Sequence, residues 1–182
     1  LFEDMFVSDA HVIQLPQGFK RGFAALMSAY NGQRVGAATV AHGIAQGAFE
    51  RAVEFAKDRE QFGRPIAEFQ GLQWMIADME IGLNAAQALI YKAAKSGGAG
   101  YPDKNAAAQA KVFAAENAVT VTNTALQIFG ARGYGRSLPM ERMVRDARMF
   151  TIGGGTAQML RNQVASAVLD MKLPQTRNGY RG

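Results

Sequence analysis

The chain has 182 residues, 48% of them hydrophobic and 19% charged, with no cysteine and a formal net charge of +5. That length supports one domain with a real core. The lack of cysteine excludes disulfides, thiolate ligands and thiol nucleophiles, and no apolar run is long enough to cross a membrane. The positive charge is dispersed, with no Lys/Arg run and no aromatic-interleaved basic patch, so no nucleic-acid partner is expected. A basic surface for phosphorylated small ligands is the favoured reading, and a merely solvated surface is the plainer one.

Residues 1–16, with Met5-Phe6-Val7 between Asp4 and Asp9, read as the exit of a strand and a linker. A fragment of a longer protein is therefore expected. From Phe19 to about Asp58, apolar residues fall at Phe23, Leu26, Met27, Val35, Ala38, Val40, Ile44, Ala48, Val53 and Phe55. Spacings of three and four predict one long helix. Gly32, Gly36, Gly43 and Gly47 lie inside it, each costing about 1 kcal/mol against alanine. Small residues there let another helix or a flat ligand come close. Gly63-Arg64-Pro65 ends the pattern.

A second helix is predicted from about Ala67, with Phe69, Leu72, Met75, Ile76, Met79, Leu83, Ala86 and Ile90 on its apolar face. It stops at Ser96-Gly97-Gly98-Ala99-Gly100. Pro102-Asp103 opens a third helix with proline in its first turn. The expected face of that helix is Ala110, Phe113, Asn117, Val121, Thr124 and Ile128. Gly130 to Gly135 breaks it. Leu138-Pro139 starts a short fourth helix through Arg148, and a fifth follows Gly153-Gly154-Gly155 with Leu160, Val164, Val168 and Met171. No segment alternates with period two for long enough to form a strand. The expectation is an all-α fold, an antiparallel bundle of long helices across residues 17–173. The polar tail 174–182 reaches another subunit or stays loose.

Several residues suit anions. Arg59 leaves a helix C-terminus, and Thr156 follows three glycines at a helix start, where free N–H groups attract phosphate. Gly130, Gly133 and Gly135 allow close backbone approach; the plainer reading is that they are turn residues. Arg142 and Asp146, at i,i+4 spacing, read as an ion pair within the fourth helix.

The run Asp58-Arg59-Glu60-Gln61-Phe62-Gly63-Arg64-Pro65-Ile66 carries more. With Phe69-Gln70, Gln127-Ile128-Phe129-Gly130 and Gly133-Tyr134-Gly135, it resembles the C-terminal helical domain of the acyl-CoA dehydrogenases. The resemblance runs from about Val7 to Met171, and it implies a helical domain and a β domain before residues 1–16. It implies an FAD-dependent enzyme acting on an acyl-CoA thioester, a homotetramer built as a dimer of dimers, and no membrane partner. The absence of cysteine fits a cytoplasmic location. By resemblance, Arg59 contacts the FAD pyrophosphate and Gln70 also meets FAD. Gln127, Ile128, Phe129, Gly130 and Ala131 wrap its adenosine half across a subunit interface. Thr156, Ala157 and Gln158 hold FAD as well. Asn31, Arg34, Gly154 and Gly155 fall at the substrate. Ala131 stands where the family pattern has a second glycine.

One departure concerns the chemistry. Removing a weakly acidic thioester α-proton needs a carboxylate general base within hydrogen-bond reach. Members of the family place that glutamate at one of two positions, and here these read Gly154 and Gln33. Glycine has no side chain to offer, and glutamine has the shape of glutamate without its basicity. Glu50 and Glu54 stand more than about four turns along the helix, and His42 about 13 Å. His11 sits in the linker. Three readings remain open: an acyl-CoA dehydrogenase family enzyme whose base comes from elsewhere, a desulfinase of the 3-sulfinopropionyl-CoA type that cleaves C–S without net oxidation, and a non-catalytic flavin-binding relic. No metal site is expected.

Overall fold

A computed structural model describes residues 1–12 and 22–173. The end of the expected linker at Pro16, the expected helix start at Phe19 and the polar tail 174–182 lie outside the described residues. Asp9–His11 form a single 3-10 turn. The helices are α1 Gly22–Asp58, α2 Gln70–Lys95, α3 Lys104–Phe129, α4 Ala131–Tyr134, α5 Met140–Met149 and α6 Ala157–Leu169. Between α1 and α2 stands a two-residue hairpin, β1 Glu60–Gln61 against β2 Arg64–Pro65, then a 3-10 turn Ile66–Glu68. The fold is all-α, as expected, with 74% of the described residues helical.

α3 lies at the centre and packs against α1, α2, α5 and α6. Val35 of α1, Ala93 of α2 and Ala107 of α3 share one cluster, and Phe55 stacks on Phe129 with ring centroids 4.2 Å apart. α1 and α3 are therefore parallel and α2 runs opposite to both. The core of α1 keeps Val35, Ala38 and Ala48 of the set read from the sequence, with Ile44 and Phe55 partly buried against it, and is otherwise mostly alanine. Its buried stripe is Val35, Ala38, Ala41, Ala45, Ala48, Ala52 and Ala56, while Phe23, Leu26 and Val40 are exposed. α3 answers with Ala107, Ala110, Ala114, Ala118 and Ala125. Two rows of small side chains let the helix axes approach closely, so backbone proximity substitutes for side-chain bulk. The sequence reading gave too little weight to the remaining alanines and too much to Phe23, Leu26 and Val40. On α2 the expected face holds: Met79, Leu83 and Ala86 are buried, and Leu72, Met75, Ile76 and Ile90 pack partly buried against the core.

Local signals account for the boundaries. Asp103, not Pro102, starts α3: its carboxylate accepts from the Ala106 N–H at 2.8 Å, satisfying one orphan donor. Pro102 stands outside the helix. The ion pair on α5 is Glu141–Arg145 at 2.9 Å, and no Arg142–Asp146 pair forms among the described residues. Arg145 lies one turn beyond Glu141, so it captured the same i,i+4 geometry from a neighbouring register. The Gly130–Gly135 break contains the extra turn α4, and the hairpin strands are two residues each, too short for a period to register.

Candidate functional site

The structure gathers the predicted residues into two places at opposite ends of α1. At the C-terminal end, the stacked Phe55 and Phe129 bring the end of α1 beside the end of α3. A groove of about 650 Å³ opens there, lined by Arg59, Phe62, Phe69, Gln127, Gly130 and Ala131 among others. The backbone of Arg59 is pinned on both sides: its N–H donates to Phe55 O at 2.9 Å, and the Ile66 N–H donates to its carbonyl at 2.7 Å. Its exposed guanidinium forms no ion pair among the described residues. The hairpin turn holds Phe62 and Gly63 at φ 56° and 78°. Left-handed backbone is costly for phenylalanine, which has no glycine-like freedom there. That conformation puts a 92% exposed ring at the groove's edge. Gly130 has φ 59° and nothing within 4 Å of where a Cβ would stand, so a ligand can lie directly on its backbone. Ile128 and Phe129 line the same groove. Gln70, the exposed first residue of α2, does not; its neighbours Phe69 and Leu72 do.

The second place lies near the N-terminal ends of α1 and α3. Arg34 is 6% exposed. Its Nε donates to Gly154 O at 3.3 Å, and one terminal nitrogen donates to Asn31 Oδ1 at 3.0 Å and Gln163 Oε1 at 3.5 Å. Of the two positions where a base was sought, Gly154 is tied to α1 by Arg34, the residue after Gln33. Gln33 itself is exposed, on the outward face that also presents Gly36, Val40 and Gly43. Gly154 and Gly155 have φ 71° and 97°, conformations that only glycine adopts readily.

Beside them stands a residue that sequence reasoning passed over. Lys111 of α3 is 0% exposed and donates from Nζ to Gly155 O at 2.7 Å. Burial lowers its pKa, and the nearby Arg34 charge lowers it further. Burial likewise lowers that of Arg34, partly offset by Tyr30. No carboxylate contributes to either among the described residues. A signal existed: Lys111 shares a helical face with Ala107, Ala114, Ala115 and Ala118, where a lysine interrupts a row of alanines. His42 has its pKa lowered by burial, and its buried Nδ1 has no hydrogen-bond partner among the described residues.

The start of α6 is self-satisfied. Thr156 caps it, accepting from the Met159 N–H at 3.2 Å. Ala157 is buried and its N–H donates to Thr151 O at 3.0 Å. Gln158 is exposed. Of the expected trio, only the Gln158 side chain is both polar and uncommitted to that turn. No cluster of three or more His, Asp or Glu side chains suited to a metal occurs among the described residues. No helix there is long and apolar enough to cross a membrane.

The family profile described as "Acyl-CoA dehydrogenase, C-terminal domain" matches residues 20–169. The chain belongs to the acyl-CoA dehydrogenase family. It is 66% identical over 179 residues to a 3-sulfinopropanoyl-CoA desulfinase of Advenella mimigardefordensis, covering 98% of this chain and 44% of that protein. To the 3-sulfinopropanoyl-CoA desulfinase of Cupriavidus necator it is also 66% identical, covering 98% of this chain and 45% of that one. Butyryl-CoA dehydrogenase from Megasphaera elsdenii superposes with a TM-score of 0.80 at 40% identity, over 82% of this chain and 39% of the other. The chain thus spans less than half the length of these acyl-CoA dehydrogenase family relatives.

Proposed function

We propose that this chain is the C-terminal helical part of an FAD-dependent enzyme that removes the sulfinate group from a 3-sulfinopropanoyl-CoA thioester without net oxidation. The observation that carries the reading is the absence of a carboxylate at both base positions, Gln33 and Gly154. Without a base, a saturated acyl-CoA cannot lose its α-proton at a useful rate. Desulfination asks for something else. The C–S bond breaks with its electron pair left on carbon, that carbon takes a proton, and sulfur dioxide adds water to leave as hydrogensulfite. The likeness to two desulfinases at 66% identity points the same way.

The groove suits an FAD in chemical character. It offers an unpaired arginine for a pyrophosphate, aromatic and apolar walls for an adenine, and the open backbone of Gly130. Arg59, Gln127, Phe129 and Gly130 would hold the cofactor there, which when bound supplies the redox chemistry common to the family. Arg34 and Asp58 are separated by about 36 Å of helix at 1.5 Å per residue. One cofactor is too short to bridge both places within a subunit. A homotetramer in which the groove serves the neighbour's FAD resolves the span. Asn31, Arg34, Gly154 and Gly155 then face the acyl-CoA. The test is made on the full-length protein in the absence of an electron acceptor. Sulfite release from 3-sulfinopropanoyl-CoA, together with no flavin bleaching by butanoyl-CoA, is the expected pair of results. Rapid bleaching without sulfite release would return the protein to the dehydrogenases.

A further inference from the structure

The loop joining α5 to α6 is held by two buried cations from two different helices. Arg34 of α1 takes the Gly154 carbonyl at 3.3 Å, and Lys111 of α3 takes the Gly155 carbonyl at 2.7 Å. Both glycines are left-handed, so both carbonyls are turned from the direction a helix or strand would give them. The Ile152 and Gly153 N–H groups donate to Met149 O at 3.0 and 2.9 Å, and the Ala157 N–H donates to Thr151 O at 3.0 Å. The Gly154 and Gly155 carbonyls are the ones the cations hold. For mere packing, an apolar side chain of similar volume would serve α3 better, because burying a charge without an opposite partner is costly. The lysine remains intelligible if its charged donor has a task.

We propose that Lys111 is a positioning residue: its ammonium group, acting beside Arg34, sets the Gly154–Gly155 backbone and so fixes the base position and the entry to α6. Its relevance to acyl-CoA chemistry rests on the function proposed above; the clamp itself does not. From α1, Arg34 is the group whose charge acts on Lys111. Glu116 and Arg161 on α3 and α6 pair with each other, and Glu141 with Arg145 on α5.

The clamp makes two responses run in opposite directions. Lys111 has a folded-state pKa below its unfolded value. As pH rises through that lowered value, the folded state stops holding a costly buried charge, so the residue's contribution to global stability improves. The same deprotonation turns a charge-assisted hydrogen bond into a neutral one, so the loop loosens. A buried lysine that merely fills space would show the first response and not the second.

Amide hydrogen exchange on the full-length protein separates these. In Lys111→Met, protection of a peptide spanning 151–157 is expected to fall about tenfold against native protein, the loss of one charge-assisted bond. Protection of α2 should stay unchanged or rise. Unchanged loop protection overturns the proposal, and so does a fall that α2 and α3 share. Should the methionine variant not fold, native protein across an alkaline pH series decides. After correction for intrinsic exchange, selective loss of loop protection supports the clamp, and loss in step with α2 overturns it. Sulfite release on the same samples reports on the proposed reaction independently. Its absence in native protein would remove that reaction and leave the exchange result standing.

Discussion

Gly36 and Gly43 offer the clearest quantitative test of how α1 is built. A Cβ placed on either would meet nothing within 4 Å, and both lie on the exposed face that carries Gln33. Within a helix, glycine costs about 1 kcal/mol against alanine. Each substitution to alanine should therefore stabilise the 182-residue chain by about that amount. Seven residues separate them, about 10 Å along the helix, so the two effects should add. The double variant Gly36→Ala/Gly43→Ala is expected to gain about 2 kcal/mol in urea unfolding, with the m-value unchanged. That corresponds to about 4–8 °C in Tm. The same variant in the full-length protein should lose activity or flavin, because the open face is where a ligand or the rest of the protein must lie close. Gly133→Ala serves as the opposite control. Its Cβ would stand 2.6 Å from Phe129 Cβ and 3.2 Å from the Leu126 carbonyl, and overpacking of that kind costs about 1–3 kcal/mol. A drop in stability for Gly36→Ala or Gly43→Ala would refute the assignment of that face as open.

Gln33→Glu restores a carboxylate at one base position, so bleaching of the flavin by a saturated acyl-CoA should rise by about 10²–10⁴-fold in single-turnover absorbance measurements. Asp103→Ala removes the cap on Ala106 N–H and should cost about 1 kcal/mol in chemical denaturation, with Asp103→Asn close to native. The bidentate Arg161–Glu116 bridge, with both contacts at 2.6 Å, holds the Glu116 pKa down chiefly through the arginine's hydrogen bonds. Its contribution is present above the ordinary glutamate pKa and is lost as pH falls through the lowered folded value. Because both side chains are about half exposed, Glu116→Gln should cost under about 1 kcal/mol at neutral pH and flatten the acid limb of the stability profile.

The helices were legible because each carries its own punctuation: a cap at Asp103, glycines at 97–100, 130 and 153–155, and a turn at Gly63. The α2 face was legible because its buried residues are large. The α1–α3 seam was not, because alanine is apolar enough to bury and too small to dominate a hydrophobic count. What seals that seam is axis separation, a property of two helices together that neither sequence pattern displays alone.

The same limit governs the site. Arg59 and Gln127–Gly130 could be grouped through resemblance, and the structure supplies the physical reason: Phe55 on Phe129 welds two helix ends into one groove. The tie between Arg34, next to Gln33, and Gly154 could not be read locally, because it joins α1 to a loop 120 positions later. Lys111 shows the converse. A charge inside an alanine row contradicts the local pattern, and such a conflict between levels is where a functional constraint is to be sought. Here the conflict resolves at the Gly155 carbonyl. The ammonium sits where a solvated lysine has no reason to be, holding a backbone turn that no side chain of its own could hold.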